Sequence, residues 1–238
     1  MISLKELRLV ESLELLNNIP DGKLLINTIN AHSYNTALKD EAFAAALQKG
    51  DYLVPDGMSI VKACKFLKAK SQPKERIAGW DLFVHEMHWL NERGGKCFFM
   101  GSSENVLSGI KERCARDYPN ITVESYSPPF KPEFSEEDNK AIVDAINAAD
   151  PDLLWIGMTA PKQEKWAYSH WPELNIHCHC GPIGAVFDFY AGPAKRAPGW
   201  MQKAGLEWLH RLASNPKRMW RRYIIGNIKF IINVIKEL

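Results

Sequence analysis

The chain has 238 residues, room for one large or two small domains, and 46% of them are hydrophobic, enough for a sizeable core. Its net charge of +2 hides an uneven distribution: from Ala194 to Leu238 ten lysines and arginines stand against two glutamates, +8, and the remainder carries −6. A basic tail on an acidic body points to an anionic partner for the tail. With no run of about 18 uncharged apolar residues, the sequence excludes a membrane span, its charged opening does not read as a signal peptide, and its five cysteines read as reduced thiols in a cytosolic protein.

In chain order, Leu7, Val10, Leu13 and Leu16 recur at helical spacing and predict a leading helix over 4–19. Pro20-Asp-Gly22 is a turn, and residues 23–30 read as a buried strand with a polar end. An alanine-rich helix is expected over 34–49, a short strand over 51–54 ending at Pro55-Asp-Gly57, and a helix over 58–70. Helix 82–93, strand 96–100, helix 104–118 and strand 121–126 follow. Ser135 N-caps a helix reaching Ala149, with acids in its first turn. Strand 152–158, helix 161–170 and strand 175–180 complete the body, then a glycine-rich loop leads to the basic, aromatic tail.

Strands apolar on both faces, alternating with helices, predict an α/β fold: a Rossmann-like, mostly parallel sheet with helices on both faces. The expected division is a catalytic core over 1–193 and a basic amphipathic helical C-terminal appendage over 194–238. Ligands of such sheets bind beyond the carboxyl ends of the strands. The residues to weigh are therefore Thr28, Asn30, Asp56, Gly57, Gly101, Ser102, Thr159, Gln163, Gly184 and Asp188.

Pro55-Asp-Gly57 serves equally as a turn or as a frame fixing a carboxylate where it can act as general base toward a hydroxyl. Gln163, one turn into a helix opened by Pro161, suits a sugar hydroxyl. His177-Cys-His-Cys180 looks like a metal cluster, but strand alternation puts the cysteines on one face and the histidines on the other. Asp150-Pro-Asp152 precedes its strand, at the wrong end of the sheet for a metal-bound nucleotide sugar. No metal and no cofactor are expected: the Gly-x-Gly-x-x-Gly and Walker patterns are missing. In the tail, Met219, Trp220, Tyr223, Ile224, Ile228, Ile231 and Ile235 can share a helical face, behind a cluster of Lys217, Arg218, Arg221 and Arg222. Such a helix either packs on the core or lies on anionic lipid; its apolar face argues against a nucleic-acid partner.

Taken as an ordered set, Asn27-Thr-Ile-Asn30, Val54-Pro-Asp-Gly57, Gly79-Trp-Asp-Leu82, Phe98-Phe-Met-Gly101, Pro161-Lys-Gln-Glu164, Gly184-Ala-Val-Phe-Asp188, Arg196-Ala-Pro198 and Gly205-Leu-Glu-Trp208 with Arg211 resemble the WecG/TagA/CpsF glycosyltransferases. The resemblance implies a bacterial, inverting enzyme on the inner face of the plasma membrane. It would move N-acetylmannosamine, its uronic acid or a related hexose or uronic acid from a UDP-sugar to a polyprenyl-diphosphate-linked sugar, for cell-surface polysaccharide. By motif it implies Asp56 as base, with Thr28 and Gln163 beside it. Asn30, Gly57, Gly101, Thr159, Gly184 and Asp188 would meet substrate, and Arg211, Arg218, Arg221 and Arg222 supply cations for the diphosphate. Thr159 departs from the family pattern, standing where a second glycine is usual. An anionic membrane surface is the tail's expected partner, and a homo-oligomer is left open. The competing classes are a nicotinamide-dependent oxidoreductase, which the missing glycine fingerprint disfavours, and a non-catalytic membrane-bound nucleotide sensor, in which Asp56 and Gln163 would be dispensable.

Overall fold

The computed structural model describes residues 2–192, 197–203 and 205–238, without the side chains of Lys203 and Arg218. The expected domain boundary at 193/194, together with Lys195 and Arg196, lies outside the described residues. Among the described residues the strands are β1 (Leu24–Ile29), β2 (Tyr52–Pro55), β3 (Gly95–Gly101), β4 (Ile121–Tyr126), β5 (Leu153–Gly157) and β6 (His179–Pro182). They form one sheet in the order β2-β1-β6-β5-β3-β4, every pair parallel. The apolar runs in the sequence have this cause: β5 is buried at all five positions because helices cover both faces.

Helices of the body are α1 (Ala31–Ala37), α2 (Glu41–Lys49), α3 (Met58–Leu67), α4 (Gly79–Arg93), α5 (Glu104–Asp117), α6 (Glu136–Ala149), α7 (Lys162–Ser169) and α8 (Gly184–Ala191). Ile26, Val54, Phe99 and Trp155 pack with α4, α5 and α8 on one face. Leu25, Phe98, Met100, Leu154 and Ile156 pack with α6 and α7 on the other. Ile29 and Leu53 continue that side into a cluster with α1, α2 and α3. Ser135 forms the expected capping box on α6.

The sequence reading misplaces three elements, one of them β6, which runs from His179 to Pro182 where a strand over 175–180 was expected. The leading helix is not there: only Leu13–Asn18 coils, as a 3₁₀ turn. Leu7 and Leu9 belong to the α1–α3 cluster, whereas Val10 and Leu16 belong to the α4 side, so this segment crosses the β2 edge between two cores. Its amides bond outward accordingly, Val10 N–H to Leu53 O (2.9 Å) and Leu9 N–H to Ser71 Oγ (2.9 Å). The single helix over 34–49 is two, because Asp40 accepts a bond from Phe43 N–H (2.9 Å) and starts α2 afresh.

The His177-Cys-His-Cys180 alternation holds. Cys178 and Cys180 are buried on the α6–α7 side, and His179 turns to the other face. There Nδ1 meets Glu86 Oε2 at 2.8 Å and Nε2 meets Pro20 O at 2.9 Å. Both partners carry acceptor oxygens, an arrangement that favours the doubly protonated ring. Burial opposes that charge, but the bond and charge of Glu86 outweigh it and raise the His179 pKa.

The tail is helical, as expected: α9 (Gly199–Lys203), α10 (Glu207–Ser214), α11 (Pro216–Trp220), a π-helical stretch at Arg221–Ile225, and α12 (Gly226–Ile235). One face of α12 docks on the core, with Phe230 and Val234 buried and Phe230 edge-on to Tyr34 at 5.7 Å. Asn35 Nδ2 donates to Gly226 O at 2.8 Å. Beyond α12, Glu237 accepts bonds from Ser3 Oγ, Leu4 N–H, Lys5 N–H and the Tyr34 hydroxyl. The opposite face is apolar and exposed at Ile228, Ile231 and Ile235. Of the two sequence alternatives, the packed helix holds for the face carrying Phe230 and Val234, and the other face is left exposed.

Candidate active site

The carboxyl end of the sheet gathers most of the residues the sequence singled out. Pro55 closes β2; its carbonyl accepts from Gly57 N–H (3.1 Å) and Ile77 N–H (2.9 Å), while Asp56 N–H donates to Ile29 O at 2.8 Å. Asp56 is thereby pinned to the end of β1 as well as β2, and Gly57 turns the chain into α3. Asn30 N-caps α1, its Oδ1 accepting from His32 and Ser33 N–H at 3.0 Å each, and its Nδ2 reaches Asp56 Oδ2 at 3.4 Å. Thr28 is half-buried two residues earlier on β1, beside Val54 in the sheet register.

The tail comes back to this point. Gly205 sits against Met58, the first residue of α3, and α10 then presents Glu207 and Arg211 one turn apart. Arg211 lies over the Phe189 ring at 5.0 Å, and Glu207 pairs with Arg76 at 3.1 Å. Burial pushes the Asp56 carboxyl upward; Arg211, the Asn30 bond and Arg76 pull it down and Glu207 adds to the rise, leaving its pKa above the usual carboxylate range. Sequence reasoning did not single out Arg76, and it quoted Glu207 only within Gly205-Leu-Glu-Trp208, without a role. Arg76 has no motif to mark it, whereas Glu207 could have been found from its i, i+4 spacing to Arg211.

The four tail arginines separate. Arg211 joins Asp56. Arg222, in the π-helical stretch, is half-buried next to His32: burial and then the Arg222 charge hold the His32 pKa down. The Nε of Arg222 is buried and makes no hydrogen bond to the described residues. Arg221 is exposed, and the side chain of Arg218 lies outside the described residues.

A second group lies at the ends of β5 and β6. Gln163 is buried, and its amide is fully engaged: Oε1 accepts from Met158 N–H (3.2 Å) and Gly184 N–H (3.0 Å), and Nε2 donates to Pro182 O (3.0 Å) and Glu164 Oε1 (2.9 Å). Contact with a sugar would require one of these bonds to open. A Cβ on Gly184 would clash with Met158 O, and one on Gly101 with Gly157 O, so both positions need glycine for close approach of neighbouring loops. Thr159 is exposed at the mouth of the loop, and Asp188 is exposed on α8. At the opposite, amino end of the sheet, Asp152 accepts from Lys96 N–H at 2.7 Å, where the sequence placed it. Among the described residues no group of three or more His, Cys, Asp or Glu is gathered to hold a metal ion, and no helix is long and apolar enough to cross a membrane.

Comparison with known proteins shows the family. Residues 2–238 match the model of the glycosyl transferase WecG/TagA/CpsF family. An N-acetylglucosaminyldiphosphoundecaprenol N-acetyl-beta-D-mannosaminyltransferase of Bacillus subtilis (strain 168) is 30% identical over 213 residues, covering 90% of this chain and 79% of the relative. The enzyme of the same name from Staphylococcus aureus (strain MW2) is 28% identical over 217 residues, covering 90% of this chain and 82% of that one.

Proposed function

The chain belongs to the glycosyl transferase WecG/TagA/CpsF family, and from that premise we propose that it moves N-acetylmannosamine or a closely related sugar from a UDP-sugar to a polyprenyl-diphosphate-linked sugar, with inversion. The observation that carries this reading is the meeting of tail and body at Asp56: a half-buried carboxylate, Asn30 beside it, and Arg211 and Arg76 within electrostatic reach. The acceptor follows the names of the relatives.

In this reading Asp56 takes the proton of the acceptor hydroxyl, and its raised pKa makes it a stronger base than an ordinary carboxylate. The hydroxyl oxygen bonds to the anomeric carbon as the bond to UDP breaks on the opposite side, and UDP leaves with the bonding pair. Charge then develops on the diphosphate, where Arg211 and Arg222 are the cations to stabilise it. Asn30 orients Asp56 and Gln163 holds the loops; Thr28, Gly57, Gly101, Thr159, Gly184 and Asp188 belong to the surrounding wall. The test is UDP release from the full-length protein with candidate UDP-sugars and a short-chain, diphosphate-linked N-acetylglucosamine. Release that needs both substrates is expected; no release with any donor, or release indifferent to acceptor, overturns the reading.

A lipid-linked acceptor also calls for a docking surface, and we place it on the outer face of the tail. Ile228 and Ile231 are each 57% exposed, with Arg221 and Lys229 exposed beside them. Inserting such a face into anionic lipid joins apolar burial to roughly 1 kcal/mol per basic residue. Changing Ile228 and Ile231 together to serine is expected to weaken vesicle binding on the order of 10²-fold, from roughly 1.5 kcal/mol per side chain. Transfer to the soluble acceptor should stay intact. Deleting α12 is the wrong test, because the same helix covers Tyr34 and carries the chain on to Glu237. Vesicle binding unchanged in the double variant, or insensitive to salt between 0.1 and 1 M, where the Debye length falls from about 10 to about 3 Å, would remove the tail from this role.

A further inference from the structure

Helix α7 buries two adjacent polar residues, and the chemistry proposed above uses only the first. Gln163 is 5% and Glu164 3% exposed. Glu164 Oε1 accepts from Gln163 Nε2 at 2.9 Å; its Oε2 is buried with no hydrogen-bond partner. A buried polar atom without a partner calls for an explanation. Among the described residues no charged group is a cause of the Glu164 pKa shift. Lys165 of α7 is paired with Asp40 at the start of α2 (2.9 Å), and Lys162 lies over the Phe134 ring at 3.4 Å. β1 and β5 carry no titratable side chain, Cys180 of β6 is a buried thiol, and His179 is bonded to Glu86 on the other face of the sheet. Burial, opposed only by the Gln163 bond and its own backbone amide, pushes the Glu164 pKa up to about 7.

Glu164 adjoins a tight junction. The Gln163 amide clasps the loop after β5, through Met158 N–H, to the loop after β6, through Pro182 O and Gly184 N–H. The absence of a Cβ at Gly184 is what lets those loops touch. Thr159 extends from the first loop; the second opens α8, whose Phe189 underlies Arg211. An ionised Glu164 would leave a buried charge on its bare oxygen, and the donor it already holds, the Gln163 amide, would be drawn toward it and away from Pro182 O.

We propose that Glu164 is a positioning residue of the transfer site, acting through Gln163: as a neutral acid it completes the clasp between the loops after β5 and β6, and as a carboxylate it loosens the clasp and slows transfer. This rests on the function proposed above for where transfer occurs, and the experiment separates the two. In the full-length protein, kcat is expected to fall about tenfold per pH unit above the Glu164 pKa. Glu164→Ala should lower kcat at every pH. Glu164→Gln should restore the wild-type value at pH 6 and lose the alkaline fall. Amide exchange at Met158 and Gly184, corrected for intrinsic rates, should quicken above about pH 7 in wild type and stay flat in Glu164→Gln. The direction for stability agrees: the folded state keeps a proton that the unfolded chain releases, so wild-type stability declines from about pH 4.5 to 7, and Glu164→Gln removes that slope. An alkaline fall retained in Glu164→Gln, or wild-type exchange at these amides unchanged across pH 7, overturns the proposal. If no donor is turned over, the proposed function fails while exchange in the wild-type protein still decides the clasp.

Discussion

Asp56→Asn is expected to keep the fold and donor binding and to lose about 10²-fold or more in turnover. The substitution is close to isosteric, and the main-chain bonds that seat this residue, to Ile29 O and within the Pro55–Gly57 turn, are untouched. What is lost is the acceptor of the proton. The pH profile gives a second readout. A base works only when deprotonated, so transfer should rise as pH climbs through the Asp56 pKa, which burial sets above the usual carboxylate range. Arg211 holds that pKa down, so removing its charge should move the rising limb to higher pH. Near wild-type turnover in Asp56→Asn would eliminate it as the base.

Asp56 was legible in the sequence because a strand end, a proline and a glycine mark the position, and local chemistry decided the geometry. The sheet was legible for the same reason: strands apolar on both faces admit few arrangements. Apart from the cap at Asp40, the failures were decided by distant contacts. Leu7, Val10, Leu13 and Leu16 have helical spacing, yet Leu7 serves one core, Val10 and Leu16 the core across an edge strand, and Leu13 is exposed; no local period reports that. The break at Asp40 looked like a charge inside a helix until its bond to Phe43 N–H appeared. Gln163 was recognisable as a polar residue at a helix start; that all of its hydrogen-bonding capacity is spent on two loops was not, since Met158, Pro182 and Gly184 come together only in the sheet. Arg76 reaches Asp56 from a connecting loop, a placement without a sequence signature.

Arg222→Ala is expected to lower kcat/KM by roughly 30-fold or more on a water-soluble, short-chain acceptor, the consequence of losing about 2 kcal/mol when one partner of a desolvated charge pair is removed. The sequence could not choose among Arg211, Arg218, Arg221 and Arg222, because a basic cluster on a helix has no inside until the helix is docked. Docking α12 on α1, through Phe230 against Tyr34 and Asn35 to Gly226 O, sets the rotation of the preceding π-helical stretch. Arg222 then turns inward beside His32, with an Nε that no described residue satisfies, and Arg221 turns out. An extra residue per turn in a helix re-aims the side chains that follow, and such bulges recur at functional sites. A buried guanidinium Nε lacking a hydrogen-bond partner is costly in the free protein, and a diphosphate oxygen would supply that partner. Arg221→Ala is the internal control: its loss should stay within about threefold on the soluble acceptor and show itself only on vesicles, as a weaker, salt-sensitive attachment. Full activity of Arg222→Ala with the soluble acceptor would leave the tail as an anchor, and Arg76 with Arg211 as the remaining cations at Asp56.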